Sequence, residues 1–145
     1  MMRLLATIVA CAAALCGCTT SVRSYMTEIR GGEWSQPVTV VLANSDTLGL
    51  YDFGIALRHD GELCGRTVEM TVRTVTPDSL WVEEPLSLYI GDDGRSRPAQ
   101  HETVGIYRRS VRLASGGDYR ITIAPKRPVQ GVTAVGVDMS RSVKE

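Results

Sequence analysis

From Pro37 onward, apolar and polar positions follow a period of two. Val38, Val40 and Leu42 alternate with Thr39, Val41 and Ala43, and Asn44-Ser45-Asp46 then supplies a turn. The clearest strand covers residues 51–58, with Tyr51, Phe53, Ile55 and Leu57 on one face and Asp52, Gly54, Ala56 and Arg58 on the other. Successive side chains of a strand point to opposite sides, so the first set faces a core. His59-Asp60-Gly61-Glu62 breaks the pattern with turn-forming residues. Residues 67–76 predict a further strand with Val68, Met70 and Val72 inward. It ends at Thr76-Pro77-Asp78, because Pro77 has no N–H to give a central ladder. Residues 80–90 predict one strand or two short ones, and Pro85 within them suits a bulge or an edge.

The second half continues in the same manner. Gly91-Asp92-Asp93-Gly94 through Gln100 reads as a polar loop, and residues 104–113 and 119–123 predict a hairpin. For Val111 and Leu113 to share a face with Tyr119 and Ile121, paired residue numbers must add to an even sum. That excludes a two-residue Gly116-Gly117 loop and favours three residues with a left-handed glycine and a bulge. Pro125 and Pro128 mark the next turn, and residues 132–139 predict the final strand. Before Pro37 the pattern is mixed. Tyr25, Met26, Ile29 and Trp34 are candidates to cover one end of a core, and Gly31-Gly32 argues against a continuous helix. Seven or eight short strands, turns between them and no amphipathic helix of useful length predict an all-β fold, a single antiparallel β-sandwich.

Ahead of this domain stands a different kind of segment. Arg3 is followed by residues 4–15, apolar apart from Thr7, and then by Leu15-Cys16-Gly17-Cys18. The apolar run is too short for a permanent membrane span and has the order of a secretory leader. Small Gly17 directly before Cys18, with aliphatic Leu15 at minus three, is the pattern of a bacterial lipobox. Cleavage there makes Cys18 the first mature residue, carrying an acyl lipid of the palmitate kind. An ordinary leader cleaved nearby, with Cys18 left as a thiol, is the alternative, and exposed secreted thiols are liabilities. The expected organisation is a signal peptide at 1–17, a lipidated tether at 18–24, the sandwich at 25–139 and a polar tail at 140–145. No acidic cluster follows Cys18, which leans toward the periplasmic face of the outer membrane.

Composition narrows the partners. Removing 17 of 145 residues leaves 128, enough for one core. With Arg3 gone the mature chain has 15 basic and 16 acidic residues, a balance that argues against nucleic acid and general anionic-surface binding. Three of the four cysteines lie at or before the cleavage point, so Cys64 has no internal disulfide partner.

Catalytic patterns are scarce. There is no Gly-x-Ser-x-Gly elbow, no His-Glu-x-x-His helix and no phosphate-cradling glycine loop, and the chain is expected not to be an enzyme and to need no cofactor. His59, Asp60, Glu62 and Cys64 are zinc-ligand types close in sequence, yet they equally make a solvated turn with a small apolar cysteine, which is the expectation. Asp92-Asp93-Gly94 lacks the alternating oxygens and distal glutamate of a calcium loop. Glu83-Glu84 cannot share a sugar as glycosidase carboxylates do, since neighbouring strand residues face opposite ways.

Binding candidates remain. Arg95, Arg97, Arg108, Arg109 and Arg112 form a basic set. Arg108 and Arg112 share the outward face by parity, while Arg109 falls on the inward face and needs a strand end or a carboxylate partner. Trp81 and Tyr89 share parity with each other and not with Leu86, Leu88 and Ile90. That places them on an outer face as candidate sugar-stacking aromatics, although aromatics are only 6% of the chain.

Three separated segments resemble a known family. They are Tyr25, Ile29 and Trp34; the strand 51–59 ending in Arg58; and Gly117-Asp118-Tyr119-Arg120-Ile121-Thr122-Ile123 with Gln130-Gly131-Val132-Thr133-Ala134-Val135-Gly136-Val137. Together they resemble the gliding-motility lipoprotein GldH family, in which a Gly-x-Tyr strand precedes a basic turn and a Gly-Ile-x-x-Val-Gly last strand. Arg58-His59, Cys64-Gly65 and Lys126-Arg127 stand where the family has arginine-asparagine, an aromatic pair and methionine-arginine. The resemblance implies a non-catalytic, outer-membrane-anchored accessory protein of a motility or secretion machine, with envelope proteins as partners and docking through a strand edge or loop end. Relatives also occur in bacteria that do not glide. A glycan-binding sandwich lipoprotein is the alternative, and discriminating them falls to the surfaces around Trp81, Tyr89, Arg108 and Arg112.

Overall fold

The computed structural model describes residues 21–91 and 101–143. The leader, Cys18 and the loop residues Asp92, Asp93, Gly94, Arg95 and Arg97 lie outside the described residues, as does the end of the polar tail. The strands in chain order are β1 (Val22–Glu28), β2 (Glu33–Trp34), β3 (Val38–Asn44), β4 (Leu50–His59), β5 (Thr67–Val75), β6 (Trp81–Tyr89), β7 (His101–Arg112), β8 (Gly117–Pro125), β9 (Val129–Gln130) and β10 (Val132–Arg141). One four-stranded sheet has the order β1-β10-β4-β7 and the other β3-β8-β5-β6, while β2 and β9 make a short ribbon. All the pairings are antiparallel.

Counting only the eight long strands, the orders are first-eighth-third-sixth and second-seventh-fourth-fifth. This is the jelly-roll arrangement, two Greek keys wound into a sandwich, and it sharpens the expected all-β sandwich. The beginnings of β1, β4, β6 and β8 and the ends of β3, β5, β7 and β10 lie together. We call this the lower end and the opposite one the upper end.

The alternation explains the core. Phe53, Ile55 and Leu57 on β4 pair with Met139, Val137 and Val135 on β10, and all six are buried. From the facing sheet come Val40, Leu42, Met70, Val72, Ile121 and Ile123. Each such aliphatic side chain, taken fully out of water, contributes about 1.5–3 kcal/mol. Trp34 plugs the upper end with no exposed surface, and its Nε1 donates to the Gln36 carbonyl at 2.9 Å. That bond satisfies the one polar group a buried indole carries.

Several boundaries differ from the sequence expectation. β1 starts at Val22, so residues 22–24 of the expected tether are paired with β10 in a register from Val22↔Ser140 to Glu28↔Ala134. Only Tyr25 and Met26 in β1 are half-buried, so this edge strand is held by backbone pairing and leaves little alternation to detect. The final strand likewise runs to Arg141, into the expected tail. Pro85 creates no bulge. β6 pairs with β5 without a shift from Tyr89 to Trp81, and Pro85 is accommodated because β6 is an edge.

The expected hairpin of residues 104–113 and 119–123 is not formed. β7 pairs with β4, and β8 pairs with β3 and β5 in the other sheet. The inference that Val111, Leu113, Tyr119 and Ile121 share an interior survives in another form. They meet across the sandwich rather than along one ladder, because the connection crosses between sheets. Parity arguments fix which face a residue takes in its own strand, and they carry no information on which sheet its neighbour joins.

Candidate functional site

Trp81 and Tyr89 on β6 and Arg108 and Arg112 on β7 all lie on one lateral side, where the edge strand of each sheet meets the other. The side is nevertheless not one patch. The unbroken β6 register puts Trp81 and Tyr89 on the outer face, 61% and 62% exposed. They are eight residues apart, roughly 27 Å along a strand, and do not form an aromatic row. The Arg73 guanidinium lies 4.5 Å from the centre of the Trp81 ring, covering one of its faces with a cation–π contact.

β7 is irregular at its lower half. Its pairing with β4 shifts between Tyr51 and Phe53 and again between Phe53 and Gly54, and Ser110 adopts a left-handed φ of 54°. These shifts reset the phase, so Arg108 and Arg112 do not share the outward face that strict alternation implied. Arg108 pairs with Phe53 in register and reaches inward to Glu84 of β6, while Arg112 pairs with Leu50. Arg109, expected at an inward position, is exposed instead. The Ser142 hydroxyl foremost, then the Ser110 amide, hold the Asp52 carboxyl below its usual range, and the Arg109 charge adds to them. The bulge therefore spares the chain a buried unpaired charge.

The contacts of Arg108, whose side chain is 44% exposed, bridge the two sheets at this side. Glu84 accepts from Arg108 and from the Tyr107 hydroxyl, the latter at 2.8 Å. These bonds, led by that from Arg108, hold the Glu84 carboxyl below its ordinary range. Burial, followed by the bond to Glu84, pushes the Tyr107 hydroxyl up. Glu83 takes the opposite face by alternation, as the sequence implied.

Beside this ion pair an apolar cleft of about 380 Å3 enters between the sheets. Phe53, Val111, Leu113 and Ile121 line its floor, and Leu80 and Val82 its exposed rim. Tyr107, Arg108, Arg112, Asp78 and Thr74 are among its polar groups. A concave apolar site with few convergent polar groups suits an aliphatic or aromatic side chain from a partner. Sequence reasoning missed Leu80, Val82 and Tyr107. The signal present was the Leu80-Trp81-Val82 run, three large apolar residues without a polar interruption at a strand start.

The histidine turn gives no metal centre among the described residues. His59 is buried at the end of β4, with Nδ1 2.7 Å from the Asp60 carbonyl and Nε2 3.0 Å from Thr103 Oγ1. It stacks on His101 with ring centres 5.7 Å apart. Asp60 is used as a cap, accepting from the Glu62 amide at 3.0 Å. Cys64 is free and partly buried.

At the lower end, Asp46 organises the loop between β3 and β4. It accepts from the Tyr51 hydroxyl at 2.7 Å and from the amides of Gly49 and Leu48 at 2.9 and 3.0 Å. The Tyr51 bond foremost, then the two amides, hold its carboxyl at about 2. A carboxyl lowered in the folded state stabilises above its unfolded value, near 4, and that contribution is lost as pH falls through the folded value. Asp46→Asn is therefore expected to lower the urea midpoint at pH 7 and to flatten its dependence on pH between about 4 and 2. Urea titrations across that interval check both.

No protein-family model matches the chain, and no curated protein matches it. Among solved structures, one described as "Structure of infectious bursal disease virus Gx strain" is similar at 11% identity and a TM-score of 0.37. The match covers 86% of this chain and 32% of the viral one, so the chain spans about a third of that protein's length.

Proposed function

We propose that this chain is a lipid-anchored bacterial envelope protein of the GldH type, a non-catalytic accessory component that docks a motility or secretion machine. Cys18 carries the lipid in this reading, the domain stands on the periplasmic face of the outer membrane, and the partner engages the side formed by β6 and β7. The observation that carries the docking assignment is the cleft between two strands that have no outer neighbour in their sheets. A partner strand finds unpaired backbone groups on either edge, and an apolar anchor finds the floor of Phe53 and Ile121. β7 is also the edge of its sheet farthest from β1, so the anchored strand leaves this side clear.

A photo-cross-linking amino acid at Val82, compared with one at Thr39 on the outer face of the same sheet, tests the assignment. Discrete adducts with envelope proteins are expected from position 82 alone, and Leu80→Asp on the cleft rim is expected to remove them. Equal adduct patterns at both positions, or adducts indifferent to Leu80→Asp, contradict it. The glycan-binding alternative gains no support from Trp81 and Tyr89, which are far apart, with the Trp81 ring half covered.

A further inference from the structure

The lower end carries a second basic and apolar surface, which shares Arg112 with the docking cleft. A groove of about 820 Å3 there is lined by Arg109, Arg112 and Arg141 together with Leu48 and Val143. Leu48, in the loop after β3, is 79% exposed and Val143 is 72% exposed. These two large aliphatic side chains come from separate segments, line one groove and form no part of the core, so they stand free to meet an apolar phase.

We propose that this end rests on a bilayer bearing anionic phosphate headgroups, with the arginines on the phosphates and Leu48 and Val143 dipping toward the acyl boundary. The inference rests on the lipid-anchor reading of Cys18 for its geometry. From Cys18 to Val22 there are four residues, at most about 14 Å of extended chain. β1 enters the sandwich at this same end. Strands of ten residues rise roughly 34 Å, so a leash this short brings the lower end to the headgroup layer and leaves the upper end far from it.

The charge arrangement agrees. Asp46, beside the groove, is ion-paired with Arg141 at 3.3 Å, while Asp52 within it accepts from the Ser110 amide and the Ser142 hydroxyl at 2.8 and 2.6 Å and keeps its charge. Arg109 and Arg112 form no ion pair among the described residues. Arg109 and Arg112 thus face the single carboxylate of Asp52, and the surplus positive charge offers paired donors that match phosphate oxygens. Apolar side chains beside a surplus of arginine are the surface equivalent of an interfacial amphipathic helix.

The test uses the full lipidated chain in a Cys64→Ser background, with an environment-sensitive dye attached through Leu48→Cys or, at the upper end, Glu62→Cys. It is reconstituted with vesicles of phosphatidylcholine alone or of phosphatidylcholine and phosphatidylglycerol. On the anionic vesicles the dye at 48 is expected to shift to the blue and to be quenched by spin-labelled lipid, while the dye at 62 stays in water. Arg109→Gln with Arg112→Gln is expected to lower the inserted population by about fivefold for each arginine. A dye at 48 that remains aqueous, or that inserts equally into neutral vesicles and regardless of the arginines, overturns the proposal. The mass of the N-terminal peptide is measured separately. An unacylated Cys18 refutes the anchor reading, and co-sedimentation of the Cys18→Ala chain with the same vesicles then still decides for or against the surface.

Discussion

Gly136→Val strips β1 from its sheet. Gly136 sits in β10 opposite Met26 of β1 and Ala56 of β4. A Cβ placed on it would lie 2.0 Å from the Tyr25 carbonyl oxygen and 2.8 Å from the Met26 Cα. Both are backbone atoms of the neighbouring strand, so no rotamer change relieves the contact and β1 itself must move. Overpacking a tight site costs about 1–3 kcal/mol, and valine, with two further methyls against the same backbone, is expected at the top of that range. Because β1 holds mainly by its ladder, the loss is expected to appear as lost amide protection across Val22–Glu28 together with a lower urea midpoint. Gly61→Ala is the control: nothing lies within 4 Å of a Cβ there, and the midpoint is expected to stay within about 0.5 kcal/mol of the parent.

Cys18→Ala moves the chain out of the membrane fraction. Each acyl methylene buried in the bilayer is worth about 0.8 kcal/mol, and a single chain of myristoyl length already gives an association constant on the order of 10^4 M−1. No helix among the described residues is long and apolar enough to cross a membrane. The groove at the lower end leaves only a weak, electrostatic residue of binding. Any Cys18→Ala protein still on anionic membranes is therefore expected to be released by salt, which screens exposed charge within about 10 Å at 0.1 M. A variant that stays membrane-bound through a salt wash contradicts the lipobox assignment.

The two predictions meet at β1. In the proposed reading β1 follows the lipid-bearing Cys18 by four residues, so its pairing with β10 sets how near the sandwich sits to the membrane. Gly136 is what lets the two backbones come that close.

The strands that carry the core were legible because their alternation is strict. Phe53, Ile55 and Leu57, or Val68, Met70 and Val72, face inward as their parity requires. β1 was not legible, since a strand at an edge with two half-buried residues leaves almost no pattern. The pairing of β7 was misjudged for a different reason. Adjacent strands with a short loop suggest a hairpin, yet in a jelly roll the chain passes between sheets, and local sequence has no term for that choice. Among the binding candidates, the outer-face position of Trp81 and Tyr89 followed from parity because β6 has no bulge. The shared face of Arg108 and Arg112 failed because β7 does, around Ser110. The cleft itself depends on how two edges approach each other in space, which no single segment encodes.

Cross-linking in the cell, followed by purification through a C-terminal tag, tests the account most directly when the native chain is compared with Cys18→Ala. A discrete set of envelope proteins recovered with the acylated chain and lost with Cys18→Ala is the expected result. An acylated, folded chain that enriches no envelope protein, or an identical set from both forms, would contradict a membrane-anchored docking role.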